Sequence, residues 1–219
     1  MRGGFWSAGP LVCLAITLAG CSQTALETPQ VERLPFYIDS DLTPVWLDRE
    51  AEASVRPIEP FSFVDQSGEQ LSRDNLEGKI YVASFIFTTC GGICPRVVSN
   101  LLRIQAEYID DPALVLLSYS VQPNVDSVEV LDGYAREKGI EHDKWRLLTG
   151  DKDDIYALAR SSYFADVGPD FGRNDADFLH TEKVMLVDGH GRIRGVYNGL
   201  VASDMTRLIE DIETLKAVG

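Results

Sequence analysis

Positive charge is scarce in this chain. Twenty Lys and Arg stand against 34 Asp and Glu, a formal net charge of −14 over 219 residues. That balance argues against nucleic acid and against an anionic membrane surface as partners, and favours basic ones. Long apolar runs are also missing, since the best of them, Leu11 to Leu18, is too short to span a bilayer stably. There are no internal repeats and no low-complexity tract. After the first 20 residues only Met185 and Met205 carry thioethers, which excludes a thioether-rich metal site. The apolar content of 45% is what a globular core needs, so wholesale disorder is excluded as well.

Cysteine is the next scarcity, and it is informative. Four are present, Cys13, Cys21, Cys90 and Cys94. Arg2 forms a short positive n-region, Leu11 to Leu18 an apolar h-region, and Leu18-Ala19-Gly20-Cys21 resembles a bacterial lipobox. The expectation is a lipoprotein signal peptide over residues 1–20, cleaved so that Cys21 becomes the lipidated N-terminus. An ordinary signal peptide, or an uncleaved anchor with Cys21 incidental, is the alternative. Cys13 then leaves with the signal, and Cys90 and Cys94 remain as the thiols. One pair in an oxidising compartment indicates a disulfide, and it is too few ligands for a zinc finger.

Residues 21–57 read as a tether rich in Pro, Glu and Asp. Leu34-Pro-Phe-Tyr-Ile38 and Thr43-Pro-Val-Trp-Leu47 are strongly apolar within it, and are expected to pack on the domain or on a partner. A freely solvated linker has little use for Trp46. From residue 58 to 219 strand and helix patterns alternate. Phe61 to Asp65 and Gln70-Leu71 form a hairpin turning at Gly68, and Ser72 caps a short helix that stops at Gly78. Ile80 to Phe87 is a continuous β-rich run, as in a strand buried on both faces. A helix follows with Pro95 in its first turn, then a strand over Ala113 to Val121 and a helix over Asp126 to Lys138 stopped by Gly139. Trp145 to Leu148 is a short strand, and Asp151 caps a helix through Arg160. Glu182 to Val187 and Arg192 to Tyr197 make a hairpin, and Ser203 caps a last helix through Lys216.

Strand-helix-strand, then a β-hairpin and a closing helix, with a cysteine pair on the first strand-helix turn, is the thioredoxin arrangement. The expected fold class is therefore α/β and thioredoxin-like. A central mixed sheet is flanked by helices, with an added N-terminal β-hairpin. Thr88-Thr-Cys-Gly-Gly-Ile-Cys-Pro95 places two thiols at i and i+4 on one face of a helix entrance. There they can chelate a soft metal ion or close a disulfide, and the helix N-terminus favours the thiolate both chemistries need. A plain thioredoxin has two residues between its cysteines and a proline before the hairpin strand. Here there are three, and His180-Thr181 precedes the hairpin. In such a fold the loop carrying His180 lies against the Cys90–Cys94 turn. Two sulfurs and an imidazole suit copper, and zinc can use the same set plus water. Taken alone, His180 reads as a capping or core histidine; its placement opposite the cysteines reverses that.

The competing sites are weaker. His142 has no partner at ligand spacing and reads as a solvated turn residue, and His190 as an exposed one between glycines. Asp151-Lys-Asp-Asp154 lacks the Gly and terminal Glu of a calcium loop, so capping is the better account. Asp166, Asp170, Asp175 and Asp177 precede His180 and form a candidate docking surface, although most such loops are simply solvated.

Phe85 to Pro95, Ser118-Tyr-Ser-Val-Gln-Pro123, and His180 together with Leu186-Val-Asp-Gly-His-Gly-Arg-Ile-Arg-Gly195 resemble the Sco/SenC family. The resemblance runs in order over roughly residues 58 to 217. Members of that family are membrane-tethered, thioredoxin-like copper proteins that help assemble the binuclear Cu-A site of cytochrome c oxidase subunit II. It implies copper, as Cu(I) or Cu(II), held by Cys90, Cys94 and His180. It also implies a chain in the cell envelope on the extracytoplasmic side, lipid-anchored at Cys21. Oxidase subunit II or a similar copper acceptor is its partner, with an upstream copper donor or thiol reductant. One departure stands out: Gln122 occupies a position where the family usually carries Asp. The same features fit a thiol-disulfide oxidoreductase acting on the acceptor's cysteines through Cys90 and Cys94, or a copper or redox sensor. A peroxidase fits least, since Phe87 stands where its Thr belongs.

Overall fold

β-Branched and aromatic runs, set between aspartate and glycine turns, dictate most of the strands. A computed structural model describes residue 4 and residues 33–165 and 182–218. Residues 31–219 form one unit. In chain order the elements are α1 (Arg49–Glu52), β1 (Ser62–Asp65), β2 (Gln70–Ser72), a 3-10 turn (Arg73–Leu76), β3 (Ile80–Ile86), α2 (Cys94–Glu107), β4 (Leu114–Ser120) and α3 (Val128–Lys138). They continue with β5 (Trp145–Thr149), α4 (Lys152–Ser161), β6 (Lys183–Val187), β7 (Ile193–Asn198) and α5 (Ala202–Val218). The strands make a seven-stranded sheet in the order β2-β1-β5-β4-β3-β6-β7. β3, β4 and β5 are parallel, while β6, β7, β1 and β2 add antiparallel edges. The sheet with its flanking helices is the expected thioredoxin arrangement, and β1–β2 is the added hairpin.

The parallel strands are covered on both sides, which is why they read as unbroken apolar runs. Alternation along β3 sends Tyr81, Ala83 and Phe85 to one core and Val82 and Ile86 to the other. The second core is closed by α2, α3 and α5 through Leu101, Ile104, Leu131, Leu208 and Ile212. The first is closed by α4 with Phe61, Phe63 and Ile58. Fully buried Trp145 keeps its indole N–H satisfied on Ser118 Oγ at 2.9 Å, and Ser118 Oγ meets Ser84 Oγ at 2.7 Å across β3 and β4.

Caps fall mainly where polarity predicts them. Asp151 accepts from the Asp153 and Asp154 N–H groups at the start of α4, and Ser72 and Asn75 form a capping box. Gly139 ends α3 at φ 73°, a left-handed position that glycine adopts without strain. Ser203 is a correction: it lies inside the first turn of α5, which begins one residue earlier at Ala202.

The segment before β1 lies on the fold. Phe36 is buried, bridges to Val45, and takes the Arg194 guanidinium over its ring at 4.0 Å. Arg194 also donates to the Leu34 and Pro35 carbonyls at 2.6 and 3.0 Å. Trp46 is not the anchor of this segment. It is 66% exposed, its indole N–H resting on Arg33 O.

Candidate metal and thiol centre

β3 ends at Ile86, and Val121 N–H to Ile86 O at 2.9 Å is the last rung it shares with the β4 side. Beyond it lie the carboxyl ends of the parallel strands, the usual ligand position in α/β folds. Phe87 to Ile93 joins β3 to α2, which starts at Cys94 with Pro95 in its first turn. The residue preceding the helix, Ile93, offers no side-chain cap, and no acid occupies the first turn. The free amides at that terminus are thus left for another acceptor.

That acceptor is Cys90. Burial alone pushes its thiol up, but the Cys94 N–H, the Cys94 thiol and the Gly92 and Ile93 N–H groups outweigh burial and hold it below its ordinary value of 9.0. Cys94 goes the other way. Burial, the hydrogen bond with Cys90 and the Cys90 charge push it up to about 12. Both are free cysteines; Cys90 is half-buried and Cys94 buried. One thiol is poised to ionise while its neighbour holds its proton, an asymmetry suited to nucleophilic exchange and to stepwise capture of a soft cation.

The structure brings Cys90 and Cys94 together as their spacing requires. His180 and Cys21 lie outside the described residues, as do Asp166, Asp170, Asp175 and Asp177. Gln122 sits beside the turn and accepts from the Thr89 hydroxyl at 2.9 Å. A neutral amide thus serves as a fastener where the family usually carries an acid.

Two features were missed in the sequence. The first is buried Asp126. It accepts the Thr88 hydroxyl at 2.5 Å, the Thr88 N–H at 3.3 Å and the Ser120 hydroxyl at 2.5 Å. The sequence pattern places it as the first residue of the helix over Asp126 to Lys138, whereas α3 starts at Val128 behind its cap Ser127, and only the fold brings Thr88 to Asp126. The second corrects the reading of His142. Its Nε2 lies 3.1 Å from Asp65 Oδ2, and with Glu69 these side chains form a group of ligating type among the described residues. The guanidinium of Arg146 already stands among them, on Asp65, on Glu69 at 3.1 Å and against His142 at 2.7 Å. The chain supplies its own cation there. Desolvation opposes ionisation of Asp65, yet the Ser67 hydroxyl, Arg146 and two N–H groups hold its carboxyl below the usual value.

With this geometry in place, known proteins provide the context. The family model for SCO1/SenC matches residues 49–217. The chain belongs to the SCO1/SenC family. Against the SCO1 protein homolog of Bacillus subtilis (strain 168) it is 31% identical over 162 residues, 72% of this chain and 81% of that one. Among solved structures, a SCO1/SenC family lipoprotein from Bacillus anthracis str. Ames superposes with a TM-score of 0.65 at 26% identity, over 73% of this chain and 95% of the other. BsSco, a member of the Sco family of cytochrome c oxidase assembly proteins with a disulfide switch, gives 0.64 at 27% identity, over 74% and 95%. Copper-bound ScoI of Arabidopsis thaliana gives 0.59 at 25% identity, over 74% and 99%. SCO1/SenC proteins are thus copper-binding, thioredoxin-like and linked to cytochrome c oxidase assembly. Among the described residues no helix is long and apolar enough to cross a membrane.

Proposed function

We propose that this chain is a membrane-anchored copper metallochaperone that takes one copper ion as cargo through Cys90, Cys94 and His180 and delivers it to the Cu-A site of cytochrome c oxidase subunit II. The observation carrying this reading is the thiol pair at an uncapped helix N-terminus, with one sulfur favoured as thiolate. Thiolate is the soft donor that copper prefers, and His180 adds a borderline one. Copper-bound ScoI of Arabidopsis supports the cargo. The lipobox ending at Cys21 supports the anchor, as does the lipoprotein from B. anthracis. Residues 1–20 are the signal, 21–57 link the lipid to the domain of 58–219, and the extracytoplasmic face of a membrane is where it works.

The inequality of the thiols favours one second reading, thiol-disulfide exchange on the acceptor. Cys90 thiolate attacks an acceptor disulfide and forms a mixed disulfide, releasing one acceptor thiolate. Cys94, losing its proton to solvent, then attacks the Cys90 sulfur and releases the acceptor's second sulfur as thiolate. The products are a Cys90–Cys94 disulfide and a reduced acceptor, with two electrons transferred. His180 separates the readings. Titrating the reduced protein with Cu(I) against a chelator, we expect one copper per chain, abolished in Cys90→Ser and Cys94→Ser and weakened in His180→Ala. If His180→Ala binds copper like wild type, His180 leaves the ligand set; if His180→Ala fully restores oxidase activity to a deletion strain while either cysteine variant fails, exchange replaces delivery as the function.

A further inference from the structure

Beyond the last shared rung of β3 and β4, two side-chain links fasten the cysteine turn to the loop that follows β4. One is Thr89 to Gln122, at the surface. The other is Asp126, fully buried, whose oxygens receive donors from two segments: Thr88 N–H and Oγ–H from the cysteine turn, and Ser120 Oγ–H from β4. Ser120 Oγ in turn accepts the Gln122 N–H at 3.1 Å, so the two links share one network. Both hydroxyl contacts are 2.5 Å. A buried carboxyl is costly unless its oxygens find hydrogen-bond donors. Its cost is offset by three donors, and two of them belong to the residue two positions before Cys90.

We propose that Asp126 is the positioning residue of the dithiol: by clamping Thr88 to the β4–α3 loop it fixes the backbone that holds Cys90 against Cys94. This deepens the copper reading, because groups behind the ligands commonly set metal affinity. It also holds for the thiols alone, so it can be tested without copper. Asp126 acts through Thr88 and touches neither sulfur in this account.

The test uses the protein of residues 21–219 with Asp126→Asn, Thr88→Val and Thr88→Ser. The first readout is the two-electron equilibrium in which protein dithiol and glutathione disulfide give the Cys90–Cys94 disulfide and two glutathione thiols. Loosening the turn lowers the effective concentration of one thiol for the other. We expect this constant to fall about tenfold in Asp126→Asn, on the scale of second-layer losses at metal sites. Thr88→Val should fall in the same direction, and Thr88→Ser, which keeps the hydroxyl, should return to wild type. The second readout is Cu(I) affinity by chelator competition, expected to weaken about 10-fold or more in Asp126→Asn. Asp126→Asn with a lower melting temperature but a glutathione constant within about twofold of wild type reduces Asp126 to a structural residue and overturns the proposal. Where Asp126→Asn does not fold, Thr88→Val decides alone, and an unchanged constant there overturns it equally. A shifted glutathione constant in a protein that binds no Cu(I) leaves positioning standing and removes the copper reading instead.

Discussion

Cys90 and Cys94 differ because one helix terminus can serve only one sulfur well. The amides of Gly92, Ile93 and Cys94 converge on Cys90, whereas Cys94, first residue of α2, is folded into the protein. Thiolate is the species that reacts with an alkylating agent. Cys90 in reduced protein should therefore reach half its maximal iodoacetamide rate below pH 9.0, its ordinary thiol value, and Cys94 only near about 12. Mass mapping of each thiol against pH checks this; equal profiles for the two would contradict the asymmetry. Asp65 offers a second titration at this scale. Its carboxyl is held below the usual value of 3.8, so it stabilises the fold above that pH. That contribution is lost as the pH falls through its lowered native value. Asp65→Asn should destabilise at neutral pH by about 1–3 kcal/mol, because Arg146 loses its counter-charge, and the deficit should shrink in acid. Urea melts at neutral and acidic pH measure both.

Elements are set by their ends as much as by their apolar faces. α4 begins where Asp151 takes two orphan amides, at 2.8 and 3.2 Å, and Asp153 and Asp154 lie in its first turn beside the positive end of the dipole. These acids are a cap. Asp151→Ala should cost about 1 kcal/mol, and added Ca²⁺ should leave the melting temperature of wild type unchanged. A calcium-dependent rise would return the segment to the metal-loop reading. α2 shows the opposite device, a helix started without a side-chain cap so that its amides serve a thiol. The β3–α2 turn is consequently fastened from outside, by Gln122 and Asp126.

At the scale of the whole molecule, the first described segment behaves as part of the fold. Phe36 is 1% exposed and lies beneath the Arg192 and Arg194 guanidinium groups, at 5.2 and 4.0 Å. Tyr37 N–H and Ile58 N–H reach the Ile193 and Gly191 carbonyls of the β6–β7 hairpin. Phe36→Ala should lower stability by about 3–5 kcal/mol, the range for a buried phenylalanine. It should also expose the 33–57 stretch to protease while the cysteine site keeps its glutathione constant. A loss of under about 1 kcal/mol would show that the stretch rests loosely on the domain.

Strand order along the chain, the two covered faces, most caps and the cysteine pair were all written locally. Apolar runs, turn glycines and a four-residue spacing act over a few positions, and a reader of sequence can follow them. The Sco/SenC motif, including Cys90-x-x-x-Cys94-Pro95, was legible for the same reason. Asp126 was not, because its meaning depends on Thr88, 38 positions away, arriving at the carboxyl ends of the parallel strands. His142 looked idle until the sheet carried Asp65 and Arg146 to it from 77 and four positions away. Trp46 looked like an anchor from its composition, yet packing against β6 and β7 chose Phe36. Sequence by itself determined which residues carry reactive thiols, since that follows from the atoms each side chain carries. Tertiary structure decided which thiol ionises first and which carboxylate holds the turn, since both depend on donors brought close only by folding.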